Sequence, residues 1–164
     1  MKKLKMPTKA ETLVILKNKQ KKLNIIIPEI YYFTKKDYQK NKNKILKKIK
    51  KTFKNKKIIL RSSSTLEDQE NLTNAGKYKS YQNISPGSES VDEKINLIIS
   101  DFENDRDQII AQEFISLPDI SGVIFTRNIN NNSPYYFLNI DKSGRTDLIT
   151  SGKSNPSMKT LVFF

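Results

Sequence analysis

The chain has 164 residues, is 36% hydrophobic, and carries 30 Lys and Arg against 17 Asp and Glu, a net charge of +13. It contains no cysteine and no histidine. This excludes disulfides, thiolate metal sites and cysteine nucleophiles, and also imidazole bases, Ser-His-Asp triads, His-bound metals and a phosphohistidine on this chain. The length suits one domain with a real core or one lobe of a larger machine. Mean hydropathy is −0.62, on the polar side of globular, but the apolar residues are clustered and periodic, so a folded protein is expected.

The opening "MKKLKMPTKAETL" has no continuous apolar run, and no stretch approaches the roughly 20 apolar residues of a membrane span. No signal peptide or membrane partner is therefore expected, and the default location is the cytoplasm. Much of the basic excess lies in residues 1 to 57, as in "KKDYQKNKNKILKKIKKTFKNKK". There Lys and Asn fill the positions of an exposed helix face, which reads as solvated surface. A nucleic-acid reader would add a recognition motif or aromatic platforms among the basic residues. Neither is evident, so nucleic acid is not the expected partner.

Thr8-Lys9-Ala10-Glu11 is a capping-box pattern, and Leu13, Leu16, Gln20 and Leu23 predict a helix from about 9 to 23. Ile25 to Phe33, "IIIPEIYYF", reads as extended, with Pro28 marking an edge or a break. Thr34 can cap a second helix that carries Tyr38, Ile45, Leu46, Ile49 and Phe53, and Ile58 to Leu60 is a short buried strand. A polar loop over 62 to 77 leads to a strand from Tyr78 to Ile84 and the turn "SPGS". Ser90-Val91-Asp92-Glu93 is a second capping-box pattern, opening a helix to about Phe102 with Val91, Ile95, Ile98 and Phe102 on one side. "QIIAQEFI", "SGVIFTR" and "PYYFLNID" then read as three strands of a meander, the last two joined by the hairpin-type "NINNNSP". The order of elements predicts an α+β fold with a mixed, largely antiparallel sheet and flanking helices. The apolar ending "SMKTLVFF" reads as a strand that continues elsewhere, so a fragment or a severed lobe is expected.

Arg61 ends an apolar strand and precedes Ser62, Ser63, Ser64 and Thr65. A guanidinium followed by hydroxyls and free backbone N–H groups suits a polyphosphate, because charge and planar donor fork match phosphate oxygens. Ala75-Gly76 supplies small, permissive backbone for a loop that approaches a ligand. The alternative is that Arg61 pairs with Glu67 or Asp68 and the serines form turns. Lys9, just inside a helix start, adds a point charge where helices favour anions. Gln112 and Glu113 follow a buried strand that could present groups to an adenine edge, or they alternate outward on it. Arg127 sits at a strand end like Arg61. Asp141 and Asp147 are dispersed carboxylates without a metal-loop motif.

These stretches resemble a family. "LRSSSTLEDQENLTNAGKYKSYQNI", then "IIAQEFI", then "SGVIFTRN" look like the N-terminal, nucleotide-binding part of the phosphoenolpyruvate synthase and pyruvate phosphate dikinase family, an ATP-grasp type. "PTKAETLVILKN" with "IPEIYYFT" is similar to the family opening, with Pro7 and Thr8 where the family has two glycines before its lysine. The resemblance covers about residues 7 to 152. It implies an ATP-grasp-like N-terminal lobe, with residues 1 to 164 forming a single nucleotide-binding lobe.

The resemblance further implies that Lys9 and Arg61 contact ATP phosphates, that Ser62 to Thr65 and Ala75-Gly76 form a mobile loop over the nucleotide, and that Gln112, Glu113, Phe114 and Ile115 form the hinge strand beside adenine. Arg127 matches a motif arginine, and with Arg61 it is expected to be catalytic. Mg²⁺ is implied with its ligands in a second ATP-grasp half, which is expected, like the phosphohistidine and pyruvate-binding domains, outside these 164 residues. The expected role is to bind Mg·ATP for phosphoryl transfer to a histidine on another domain and then to pyruvate or a related acceptor, by positioning and charge neutralisation. This lobe alone is expected to bind ATP weakly and not to turn over. The alternatives are a non-catalytic nucleotide-binding or regulatory module, or a basic nucleic-acid binder.

Overall fold

Thr8 starts the first helix. Its hydroxyl accepts from the Glu11 N–H at 3.2 Å, and the Glu11 carboxylate accepts from the Thr8 N–H at 2.8 Å. The expected capping box is thus formed, and α1 spans Lys9–Leu23. Asn24 stops it in the left-handed region, φ 51°, which asparagine tolerates better than most side chains. Thr34 and Asp37 form a second capping box and open α2, Lys35–Phe53, which has a non-helical residue at Asn41.

α3, Ser90–Ile99, begins differently from expectation. Glu89 stands at the N-cap with helical φ/ψ and no side-chain cap bond, because the preceding turn feeds directly into the helix. Val91 N–H bonds to the Ser88 carbonyl, and Asp92 N–H to that of Glu89. Ser90 Oγ instead pairs with Ser88 Oγ at 2.7 Å. The regular helix ends at Ile99, short of the predicted Phe102, yet Phe102 remains buried.

The structure is a computed structural model and describes residues 7–64, 79–128, 131–143 and 158–163. Two compact units divide the chain, Met1–Phe114 and Ile115–Phe164. In the first, β1 (Ile30–Thr34), β2 (Ile58–Ser63), β3 (Ser80–Ile84) and β4 (Gln108–Glu113) form an antiparallel sheet in the order β1-β4-β2-β3. The extended stretch expected from Ile25 becomes regular strand at Ile30, after Pro28. β2 runs through Ser63, so Ser62 and Ser63 belong to a strand and not to the polar loop. β4 was expected in a meander, but it lies at the sheet's centre between β1 and β2.

The core lies on the α2 and α3 side of this sheet. Tyr38, Ile45, Ile49 and Phe53 of α2 and Val91, Ile95 and Ile98 of α3 bury against Phe33, Ile58, Leu60, Ile84, Ile109 and Ala111. Leu46 is only partly buried against it. The other face carries α1 over β1 and β4. Ala10 is the buried residue of α1 and Leu23 is 47% exposed, so the predicted Leu13, Leu16 and Leu23 stripe is a peripheral contact.

In the second unit β5 (Ser121–Phe125), β6 (Tyr136–Asp141) and β7 (Met158–Phe163) form an antiparallel meander. Gly122 faces Asn139 so closely that a Cβ on it would lie 2.9 Å from the Asn139 carbonyl oxygen. The fold is α+β with antiparallel sheets and flanking helices, as the sequence predicts. No helix among the described residues is long and apolar enough to cross a membrane.

Candidate functional site

Strand register decides which residues share a face, since directly opposed residues point the same way and alternate residues point oppositely. Arg61 opposes Ile110 on β4 and Ser80 on β3, and Ile110 opposes Tyr32 on β1. Leu60, with Ala111 and Tyr81 opposite, turns into the α2 and α3 core. Arg61 therefore points to the opposite face, the one that carries α1. Ser63, two residues on, shares that face, and its Oγ accepts from the Ala10 N–H at 3.1 Å. Gln112 opposes Ile59, which makes it a diagonal neighbour of Arg61 at roughly 7–8 Å between Cβ atoms.

Away from α1 this face is a polar shelf. Arg61, Ser80 and Gln82 are exposed and Gln112 is half-buried. The Arg61 guanidinium makes no hydrogen bond or ion pair among the described residues. Asn83, at φ 59°, absorbs an irregularity in the β2–β3 pairing beside the shelf. Ser80 and Gln82 carried no signal in the sequence beyond strand alternation.

The α1 terminus is held tightly. Thr8 Oγ1 donates to Gln108 Oε1 at 2.7 Å, and Ser63 Oγ reaches the same oxygen at 3.5 Å. Ser64 Oγ donates to Asp107 Oδ1 at 2.9 Å. Thr8, Ser62, Ser63, Ser64, Asp107 and Gln108 are all buried. Two consequences correct the sequence reading. Ser62 to Ser64 are not a cover over a ligand, because they are buried in β2 and its immediate end. The N–H groups of Ala10, Glu11 and Thr12 are bonded within the protein, so α1 does not offer those three donors to an anion. Thr65, Ala75, Gly76, Glu67 and Asp68 lie outside the described residues.

At the other end of β4, Glu113 Oε2 pairs with Lys56 Nζ at 2.8 Å. The Glu113 and Phe114 N–H groups bond to the carbonyls of Glu29 and Lys57 at 2.9 and 2.8 Å. Neither N–H is available to an adenine edge. Ile115, 55% exposed, opens the second unit. Arg127 also belongs to that unit, where its Nη1 donates to the Asn132 carbonyl at 3.2 Å and closes the β5–β6 connection. Asp141 is fully buried, with an oxygen accepting from the Ser143 N–H at 2.7 Å, and Asp147 lies outside the described residues. No group of three acidic residues among the described residues could hold a metal ion, so these side chains do not form a Mg²⁺ cage of their own.

Two open clefts, of about 550 and 510 Å³, lie on the α2 side and include none of the predicted site residues. The first is lined by Tyr31, Tyr32 and Lys44 among others, the second by Lys50 and Asp92 among others. The displaced titrations are on that side too. The Lys42 ammonium and the Tyr38 hydroxyl hold the Asp92 carboxyl below its ordinary value, and burial followed by the Asp92 contact pushes Tyr38 above the ordinary phenol value. This cluster ties α2 to α3.

The arrangement is an α+β domain with an exposed arginine, unpaired among the described residues, on the sheet face that carries the α1 terminus. The family model for the pyruvate phosphate dikinase AMP/ATP-binding domain matches residues 8–150, and the chain belongs to that family. No curated protein matches the chain.

Proposed function

We propose that this chain is the ATP-binding lobe of a phosphoenolpyruvate synthase or pyruvate phosphate dikinase-like phosphotransferase, with the shelf around Arg61 receiving the triphosphate. The observation that carries the reading is the exposed Arg61 guanidinium, without a partner among the described residues, on the same sheet face as the α1 terminus that bears Lys9. A guanidinium fork and an ammonium match phosphate oxygens in charge and donor geometry. The family's AMP/ATP-binding description supports the nucleotide.

In this reading Arg61 and Lys9 neutralise charge and align the transferring group, which is the main work in phosphoryl transfer. The phosphoryl group passes to a histidine on another domain and then to pyruvate or a related acceptor. Mg²⁺ accompanies the nucleotide, and its carboxylate ligands lie outside the described residues.

The test is transfer of label. The chain, combined with a histidine-bearing domain and the second ATP-grasp half of a family member, is incubated with radiolabelled ATP and Mg²⁺. Acid-labile, base-stable label on the histidine domain is expected, dependent on Arg61. Absence of label despite demonstrated ATP binding would favour a non-catalytic nucleotide-binding module.

A further inference from the structure

One buried amide oxygen joins the α1 terminus to the strand that carries Arg61. Gln108 Oε1 accepts from Thr8 Oγ1 at 2.7 Å and lies 3.5 Å from Ser63 Oγ. Thr8 immediately precedes Lys9, and Ser63 is the second residue after Arg61 on the same face of β2. Ser63 Oγ in turn accepts from the Ala10 N–H at 3.1 Å, so Gln108, Ser63 and the first turn of α1 are joined in a ring.

The residues that follow Gln108 in β4 are Ile109, Ile110 and Ala111, each at most 1% exposed. Gln108 is itself 7% exposed. An aliphatic side chain here would avoid the desolvation of a buried amide, which costs free energy unless its bonds are made. A satisfied buried polar group instead fixes one relative placement of the elements that it joins.

We propose that Gln108 is a positioning residue of the nucleotide site, whose side-chain oxygen locks the α1 terminus to β2 so that Lys9 and Arg61 address the same polyphosphate. The proposal rests on the reading of this shelf as the ATP site. Gln108 does not touch the nucleotide. It acts through Thr8 and Ser63, and losing it lets the two cations drift apart while the aliphatic core stays intact. A misplacement of about 1 Å is enough to weaken a charge-assisted contact severely.

The test is calorimetric titration of the full chain with Mg·ATP and with AMP, using wild type and the variants Arg61→Ala, Gln108→Leu, Thr8→Val and Thr8→Ser. Gln108→Leu and Thr8→Val are expected to weaken ATP binding about tenfold and AMP binding by much less, because the lock governs alignment along the phosphate chain. Thr8→Ser keeps the hydroxyl and is expected to bind as wild type. The Thr8→Val, Gln108→Leu double variant is expected to lose less than the sum of the two single losses, as for two residues that share one bond.

Wild-type ATP affinity in Gln108→Leu and Thr8→Val would overturn the positioning role, as would equal losses for ATP and AMP. If Gln108→Leu does not fold, the Thr8 pair carries the same comparison. Failure of the underlying reading looks different: wild type would not bind ATP, or Arg61→Ala would bind it undiminished.

Discussion

Thr8 and Gln108 stand 100 positions apart and share a buried hydrogen bond of 2.7 Å. Through it the first residue before α1 is fastened to the first residue of the central strand β4. The same threonine caps its own helix through the Glu11 N–H. Thr8→Ala should therefore lose both a cap and a buried tie, lowering stability by about 1–2 kcal/mol. Urea denaturation reads this directly, and Thr8→Ser should recover most of it.

The α2–α3 tie should give a defined acid dependence. Lys42 Nζ lies 2.7 Å and Tyr38 Oη 2.6 Å from Asp92 oxygens, and Lys42 is the larger cause of the lowered carboxyl pKa. A depressed folded pKa gives stability that is present above the unfolded value, near 3.9, and lost as pH falls through the folded value. Asp92→Asn is expected to cost about 1 kcal/mol at pH 7, since Lys42 is half-exposed and screened. The variant should also lose less stability than wild type on acidification through that range. Denaturation midpoints at several pH values measure both effects.

Tyr38 has the opposite sign. Its raised folded pKa gives a contribution that is complete below the unfolded phenol value, near 10, and is lost only on strong alkalinisation. Tyr38→Phe should cost about 1–2 kcal/mol near neutrality, leaving Asp92 with one fewer donor. Its stability curve should converge on wild type at high pH.

Core position and surface position should separate cleanly. Ile109, in the central strand, is 0% exposed, whereas Ile26 is 91% exposed. Ile109→Ala should cost about 2–5 kcal/mol, and Ile26→Ala no more than about 0.5 kcal/mol. The comparison by chemical denaturation tests where the core of the first unit lies.

In the second unit the sensitive position is Gly122. A Cβ there would meet the Asn139 carbonyl oxygen at 2.9 Å, a backbone atom that cannot turn aside. Gly122→Ala should destabilise the β5–β6 pairing by about 1–3 kcal/mol, read as increased amide hydrogen exchange across both strands.

Local signals carried most of the fold. The capping box at Thr8, the capping threonine at Thr34 and the apolar spacing of α2 are short-range patterns, and the elements begin where those patterns place them. At Ser90 the same pattern was present and the box did not form, because the preceding turn already delivered helical backbone at Glu89. The placement of β4 was not legible: a meander and a central strand read alike in "QIIAQE", and only long-range pairing with β1 and β2 distinguishes them.

The same limit applies to the site. Arg61 and Lys9 stood out as charges at element ends, but Gln108 looked like the polar start of a strand. Its partners Thr8 and Ser63 come from distant segments that only tertiary structure brings to one oxygen. Ser62 to Ser64 resembled loop hydroxyls. Their burial follows from β2 extending three residues beyond the apolar Ile58 to Leu60.

The most direct measurement of the central claim is calorimetric titration of Mg·ATP into wild type and Arg61→Ala at low and moderate salt. Saturable binding to wild type is expected, preferring ATP to inorganic triphosphate and weakened at least about tenfold by the substitution, the loss of one charge-assisted phosphate contact. Undiminished ATP affinity in a folded Arg61→Ala chain would contradict the placement of the triphosphate on this shelf. Equal affinity for any polyanion, falling steeply with salt, would mark the binding as general attraction to the lysine-rich surface.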